Sequence, residues 1–405
     1  MDFEDSPEDA AFRAEVAAWL KEHAQPLNPH GYNWSRDSES TDYPKRCKEW
    51  QHTMYEGGWG AITWPVAYGG RGDSSWHQSI FNQEASKYDV STGAFAVGIG
   101  MCGPTLIAYG TEEQKHRYLE AMLRGEEVWC QLFSEPEAGS DLAGLKTRAV
   151  RDGDVFVVNG QKVWNTGAHY ADWGILITRT NPDVPKHKGI TYFLVDMRTP
   201  GIDVRPLRQI TGHAHFNEVF LTDVQIPVDN VVGEVDAGWG VAHTTLANER
   251  TLIGGMGHGL KTADIVDLAQ RCGTVEDPLI RQDIARFHTR TQVLRFMNYR
   301  VQTALSQGRQ PGPEAAATKL FVSQHQSYTG DLVMAIEKAG GMLAGSDALD
   351  DGFWQFTFQN QWSSKIGGGT DQIQRNALGE RVLGLPAEPR VDKDVPFRDL
   401  VNVRK

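Results

Sequence analysis

The sequence predicts an α+β protein of three domains: a helical domain, a small all-β domain and a second helical domain. Three observations carry this. At 405 residues the chain is two to three times a typical domain, so more than one core is expected. Apolar residues recur at helical spacing in the first and last thirds. Between them the period shortens, and turn residues punctuate brief β-branched runs. The boundaries read as 1–126, 127–233 and 234–405.

Ser6-Pro7-Glu8-Asp9 is a helix start, with a capping hydroxyl, proline at the first position and acids in the first turn. Phe12, Val16, Trp19 and Leu20 then share one face. A loop follows around Trp59-Gly60, Trp64-Pro65 and Gly69-Gly70, and helical patterning resumes from Gln78 to Tyr88. Thr111 and Gln114 form a capping-box pair for a helix reaching Leu123. The texture changes near Val128. Val155–Val158, then Asn159-Gly160, then Lys162-Val163-Trp164 reads as a hairpin whose turn wants positive φ. Further β runs are Gly174–Thr178, Ile190–Val195 and Glu218–Leu221, punctuated by Asp152-Gly153, Pro200-Gly201 and Thr211-Gly212. Helical spacing returns at Trp239 and is long in Arg281–Ala304 and Pro313–Lys338.

Apolar residues make up 40% and charged residues 23%, which argues against disorder. The net charge of −12 disfavours nucleic acid as a partner, though it leaves room for a local basic patch. No apolar run approaches about 18 residues, so no membrane span is expected. The opening MDFEDSPEDAAF is acidic and unlike a signal peptide. Cys47, Cys102, Cys130 and Cys272 are scattered without a CxxC pair and read as reduced thiols of a cytoplasmic protein. Gly98-Ile-Gly-Met-Cys-Gly103 matches GxGxxG but lacks the strand-then-helix context of a dinucleotide loop, so close helix packing or a turn is expected. His213 and His215 straddle one residue with no third ligand at metal-like spacing, so a loop and no metal is expected.

Three separated segments carry the chemistry. They are Gln131-Leu-Phe-Ser-Glu-Pro-Glu-Ala-Gly-Ser-Asp141, Asn159-Gly-Gln-Lys-Val-Trp-Asn-Thr-Gly167, and Ile366-Gly-Gly-Gly-Thr-Asp-Gln-Ile-Gln-Arg375 followed by Glu380–Pro386. Ser134 and Ser140 are small hydroxyls in a turn-rich stretch, able to donate to a ligand while backbone amides approach it. Trp164 offers apolar contact to a planar ring. In this order, over essentially the whole chain, the segments resemble the acyl-CoA dehydrogenase family. The resemblance implies an N-terminal helical domain, a β-barrel-like middle domain and a C-terminal four-helix bundle. It implies non-covalent FAD shared between subunits of a homodimer or homotetramer. Phe133 and Ser134 would meet the isoalloxazine, Trp164 and Asn165 lie along it, and Thr166 stand near its N5. Ser140 would meet both cofactor and thioester ligand. Arg281 would face the FAD phosphates as a charge-assisted donor. Gln292, Gly340-Gly341, Gly369, Thr370 and Gln372 match further cofactor positions. Glu337 stands where the family usually has Gln, and Ile284 replaces a common aromatic.

The family's reaction removes an α-proton while a hydride leaves the β-carbon, which calls for a carboxylate in a desolvated pocket. Many members carry it in a Tyr-Glu-Gly-Thr segment; here that segment is Gly367-Gly368-Gly369-Thr370. A second branch, with isovaleryl- and long-chain-type enzymes, keeps the base on a helix just before an Arg. Leu246-Ala-Asn-Glu249-Arg250 matches that position. Glu249 is therefore the expected base, with Arg250 and Gly368 beside the substrate and the Gly368 amide polarising the thioester carbonyl. Gly254, Gly255, Gly257 and Gly259 would either widen the pocket or let helices pack closely. The expected activity is oxidation of acyl-CoA to trans-2-enoyl-CoA, with electrons passing to an electron-transfer flavoprotein. Two alternatives stand beside it. One is a flavin-dependent monooxygenase of the same fold. The other is the base-bearing subunit of an α2β2 assembly acting on steroid side-chain thioesters.

Overall fold

The computed structural model describes residues 5–28, 33–255, 260–306, 313–390 and 392–403. Contacts divide the chain into two units, 1–249 with 389–405 and 250–388.

The first unit opens with five helices: α1 (Pro7–His23), α2 (Tyr43–Glu56), α3 (Ser75–Ala85), α4 (Gly103–Tyr109) and α5 (Glu112–Leu123). The Ser6 hydroxyl accepts from Asp9 N, and Pro7 opens the helix, as the sequence predicts. Phe12, Val16 and Leu20 are buried with Trp50, Trp59, Ile62, Ile80 and Phe81 in one core. Both halves of the Thr111–Gln114 capping box are present. Gln114 Nε2 also donates to the carbonyls of Asp229 and Val231 at 2.8 Å, tying α5 to the sheet's end. The GxGxxG segment is a π-helical turn over Gly98–Cys102 running into α4. A Cβ on Gly103 would lie 2.0 Å from the Trp64 ring, so this glycine serves close packing.

Seven strands follow: β1 (Trp129–Leu132), β2 (Arg148–Asp152), β3 (Val155–Val163), β4 (Trp173–Arg179), β5 (Ile190–Asp196), β6 (Ile202–Leu207) and β7 (Phe216–Pro227). They form one curled sheet of order β1-β4-β2-β3-β7-β6, with β5 on β4. β4 and β5 are apolar on both faces, and their side chains alternate between two cores with the period of a strand. Ile175, Ile177, Tyr192 and Leu194 face one core with helical residues Leu106, Leu119 and Met122. Leu176, Phe193 and Val195 face the other, with Phe156, Val158, Val219 and Leu221.

The expected hairpin at Asn159-Gly160 is not where the chain turns. β3 runs unbroken from Val155 to Val163, with a register shift between Val158 and Gly160 where it pairs with β7. The hairpin turn lies one strand earlier, between β2 and β3, where Gly153 takes φ +59°. Asn-Gly here marks a bulge, in which one extra residue is absorbed without reversing the chain.

Three further helices lead into and build the second unit: α6 (Gly238–Gly255), α7 (Thr262–Arg271) and α8 (Pro278–Ser306). They are followed by α9 (Pro313–Glu337), α10 (Phe353–Ile366) and α11 (Asp371–Ala377). The second unit is helical. α9 packs against α7, α8 and α10 around Ile265, Leu268, Phe287, Leu332, Val333, Ile336 and Trp354. A last helix, α12 (Phe397–Val403), belongs to the first unit. Among the described residues no helix is long and apolar enough to cross a membrane. The four cysteines form no disulfide, and three are buried.

Candidate active site

Glu249 is the last residue of the first unit, and α6 carries it. One turn earlier Thr245 is fully buried. Its hydroxyl lies 2.9 Å from Thr105 Oγ1 on α4 and 3.1 Å from Tyr192 OH on β5. Residues four apart share a helix face, so anchoring Thr245 aims Glu249 the same way. There Gln131 Nε2, on β1, donates to Glu249 Oε2 at 3.3 Å. Glu249 is half-buried.

β1 runs directly into Phe133 and Ser134. This segment is clamped by a buried ion pair. The Lys162 ammonium, wholly buried, donates to Phe133 O at 3.0 Å and to Glu135 Oε1 at 2.9 Å. The amides of Lys146 and Thr147 also donate to the Glu135 carboxylate, at 2.6 and 2.9 Å. Burial alone would raise the Glu135 pKa, but Lys162 and the amides outweigh it and hold the carboxyl below its ordinary value. Val163 N donates to Ser134 O at 2.9 Å. Phe133 turns its ring into the core, edge-on to Tyr192, so only its main chain is left for a ligand. Ser134 is half-buried and Ser140 exposed.

Just past β3 stand Trp164, Asn165 and Thr166. Trp164 has φ +64°, a left-handed conformation that is rare and costly for a bulky residue, and 60% of its surface is exposed. Its ring meets Phe216 edge-on at 6.0 Å. Thr166 is exposed as well. Asn165 between them is buried. Its Nδ2 donates to Gln131 O at 2.7 Å, and its backbone pairs with Asn217 in both directions. The Asn165 Nδ2 is thus used inside the protein, while its Oδ1 has no hydrogen-bond partner among the described residues. Asn165 links the strained Trp164 to the residue that holds Glu249.

Within the second unit, Arg281 is exposed and 3.6 Å from Glu276, and Gln292 on the same helix is half-buried. Glu337 is buried and accepts from Gln355 Nε2 at 2.7 Å. Burial first, and Asp350 second, raise its pKa. Only Oε2 is engaged in this way; Glu337 Oε1 has no hydrogen-bond partner among the described residues. Gly340 and Gly341 lie in the 3-10 turn after α9. Gly368 and Gly369 take φ +63° and +86°. Their carbonyls are held by Gln374 Nε2 at 3.1 Å and Lys319 Nζ at 2.6 Å. A side chain at 368 would be strained by about 1–2 kcal/mol. Thr370 is the N-cap of α11, its hydroxyl accepting from Ile373 N, while Gln372 is exposed. Gly254 and Gly255 end α6, while the side chain of Arg250, and Gly257 and Gly259, lie outside the described residues.

Sequence reasoning passed over Gln131, Glu135, Lys162 and Asn217 as working parts of this arrangement. Lys162 did carry a signal, as a cation within a strand otherwise built to be buried, which demands a buried acid. Gln131 carried none, since its partner is 118 residues away.

The acyl-CoA dehydrogenase N-terminal, middle and C-terminal domain signatures match residues 6–126, 130–224 and 236–383. Acyl-CoA dehydrogenase IpdE1 of Mycobacterium tuberculosis is 36% identical over 94% of this chain and 98% of its own length. Acyl-CoA dehydrogenase FadE34 of the same organism is 42% identical over 80% of this chain, but the match spans only 44% of FadE34. A solved steroid ACAD, Tcur3481-Tcur3483, superposes with a TM-score of 0.82 at 30% identity, covering 96% of this chain and 100% of that one.

Proposed function

The chain belongs to the acyl-CoA dehydrogenase family of oxidoreductases, and on that premise we propose that Glu249 is the base that takes the α-proton of a CoA thioester. The supporting observation is the Gln131–Glu249 hydrogen bond. It fixes a half-buried carboxylate beside the strand that leads into Phe133-Ser134. A base acts only when held within reach of its proton, and that tether limits its freedom.

The family is generally FAD-dependent, and residues of the first unit fit a flavin. An exposed Trp164 held in a strained conformation, with exposed Thr166 two residues on, is an arrangement that packing alone does not require. Trp164, Thr166, Ser134 and the Phe133 main chain would hold the ring, and Ser140 the ligand. Arg281, Gln292, Gly340, Gly341, Gly369, Thr370 and Gln372 are the proposed second set, with Arg281 offering its guanidinium to the phosphates. When bound, FAD supplies the acceptor for the hydride that leaves the β-carbon. The chain's own part is to bind the thioester and receive the proton on Glu249. The α and β C–H bonds break, one as proton and one as hydride, and a carbon–carbon double bond forms. We assign the electrons next to an electron-transfer flavoprotein. The substrate class we favour is a steroid-derived acyl-CoA, on the likeness to the steroid ACAD.

Glu249→Gln keeps the shape of the side chain and removes its basicity. It is expected to retain FAD and fold but to lose turnover by about 10²- to 10⁴-fold. Anaerobic bleaching of the flavin by acyl-CoA is the readout, since a monooxygenase would not need the acid. Bleaching by the variant at nearly the wild-type rate would overturn the assignment.

A further inference from the structure

Glu39, His213 and His215, far apart in sequence, converge on one point of the first unit. Glu39 lies in the loop before α2, and the two histidines in the loop joining β6 to β7. Glu39 Oε1 is 3.5 Å from His215 Nδ1 and 3.8 Å from His213 Nδ1. One ligand atom from each residue lies within 4.8 Å of the other two. The third ligand that sequence spacing did not supply comes from a residue more than 170 positions away.

We propose that these three side chains form a binding site for a divalent transition-metal ion, with Zn²⁺ as the best-matched species. The two Glu–His distances leave room for an ion between the groups, and Gln209 Nε2 lies 3.4 Å from His215 Nδ1 as a further neighbour. Both Glu–His distances exceed the roughly 2.7–3.2 Å of a good hydrogen bond. One carboxylate oxygen facing two imidazoles gains little from the second ring unless a cation lies between them. In a tetrahedral zinc site with bonds of about 2.0–2.2 Å, neighbouring ligand atoms stand roughly 3.3–3.6 Å apart. The two Glu–His edges are within a few tenths of an ångström of that. Two imidazoles and one carboxylate suit zinc, cobalt, nickel or copper, and disfavour magnesium and calcium, which take all-oxygen sets.

The ligands are also held from behind, as a metal site requires. The amide of Ala214, between the two histidines, donates to Glu39 Oε2 at 2.7 Å and turns Oε1 toward the rings. Gln209 N donates to His213 O, Gly212 N to Gln209 O, and Gly167 N to His215 O, at 2.9 to 3.0 Å. The last of these bonds joins His215 to the segment that carries Trp164 and Thr166. Phe216, next along the chain, packs edge-on to Trp164. A bound ion would fasten the N-terminal loop to the strand beside the proposed flavin contacts. Its role would be structural, leaving Glu249 and the proton transfer unchanged.

The test uses the full chain, stripped with a chelator and free of any histidine tag, titrated with Co²⁺ and Zn²⁺ near neutral pH. Wild type is expected to bind one equivalent of Co²⁺ with the visible absorption of a low-coordinate nitrogen–oxygen site. Zn²⁺ should displace it and raise the melting temperature. His213→Asn with His215→Asn should abolish both responses. Glu39→Gln, a change on the loop side, should weaken binding by about tenfold or more while circular dichroism stays unchanged. Failure of wild type to bind either ion at micromolar concentration would overturn the proposal. So would a Co²⁺ spectrum or zinc-induced thermal shift that survives the paired histidine change. Acyl-CoA turnover is measured alongside. Loss of metal with turnover kept separates this site from the assignment of Glu249.

Discussion

Gln131 and Glu249 meet through one amide N–H and one carboxylate oxygen, 3.3 Å apart. A hydrogen bond to a charged group contributes about 1.5–3 kcal/mol, and each 1.4 kcal/mol is a factor of ten in rate if felt only in the transition state. Gln131→Leu keeps the bulk of the side chain and removes the donor. It also leaves the Gln131 carbonyl, which anchors Asn165, in place. The expected result is a kcat lower by about 10- to 100-fold with little change in melting temperature. A variant that melts early yet turns over normally would show Gln131 to be a packing residue only. Glu249 is a candidate from the sequence because the family resemblance points to a Glu before an Arg on a helix. Gln131 is not, because strand and helix meet only after the sheet has formed.

At the scale of the element, β3 holds the arrangement together. It contributes Lys162 to the clamp on Phe133 and delivers the chain to Trp164. Its bulge places Gly160 against Thr147, where an added Cβ would lie 2.3 Å from Oγ1 and 2.7 Å from Cα. Backbone cannot yield as a flexible side chain can. Gly160→Ala should therefore cost about 1–3 kcal/mol in denaturant unfolding, the usual cost of overpacking. Thr147 N also binds Glu135, so the same change should loosen the Phe133-Ser134 segment and weaken flavin retention. An alanine variant as stable as wild type would mean that β2 and β3 part more easily than their register suggests. The helix caps at Ser6 and Thr111 were readable because capping is decided within four residues. Asn159-Gly160 misled because a tight turn and a bulge ask the same of a glycine. Which one forms depends on the partner strand, here β7, whose register is set some sixty residues later.

For the whole molecule the informative feature is where apolar surface remains exposed. Among the described residues, twelve of the eighteen exposed large apolar side chains fall in 250–388, a segment holding only about a third of the chain. Scattered single residues would need no explanation; this concentration is the observation that motivates the expectation of an assembly. Trp362 and Ile366 are four apart on α10, on one face, and each has more than half its surface exposed. Sequence alone could suggest an oligomer only by resemblance, because the apolar count of a helix does not say which side its neighbours leave uncovered. We expect the chain to sediment as a dimer or tetramer of itself. Replacing both residues, Trp362→Asp with Ile366→Asp, should shift it to smaller species and release flavin, with helix content intact, since neither side chain is part of the described core. A wild-type chain that is monomeric and fully loaded with flavin would refute this. Recovery as an aggregated apoprotein, rescued only by a co-expressed second chain, would instead place it among two-component assemblies. Unchanged sedimentation of the double variant would show that the exposed face of α10 is not the one that is buried.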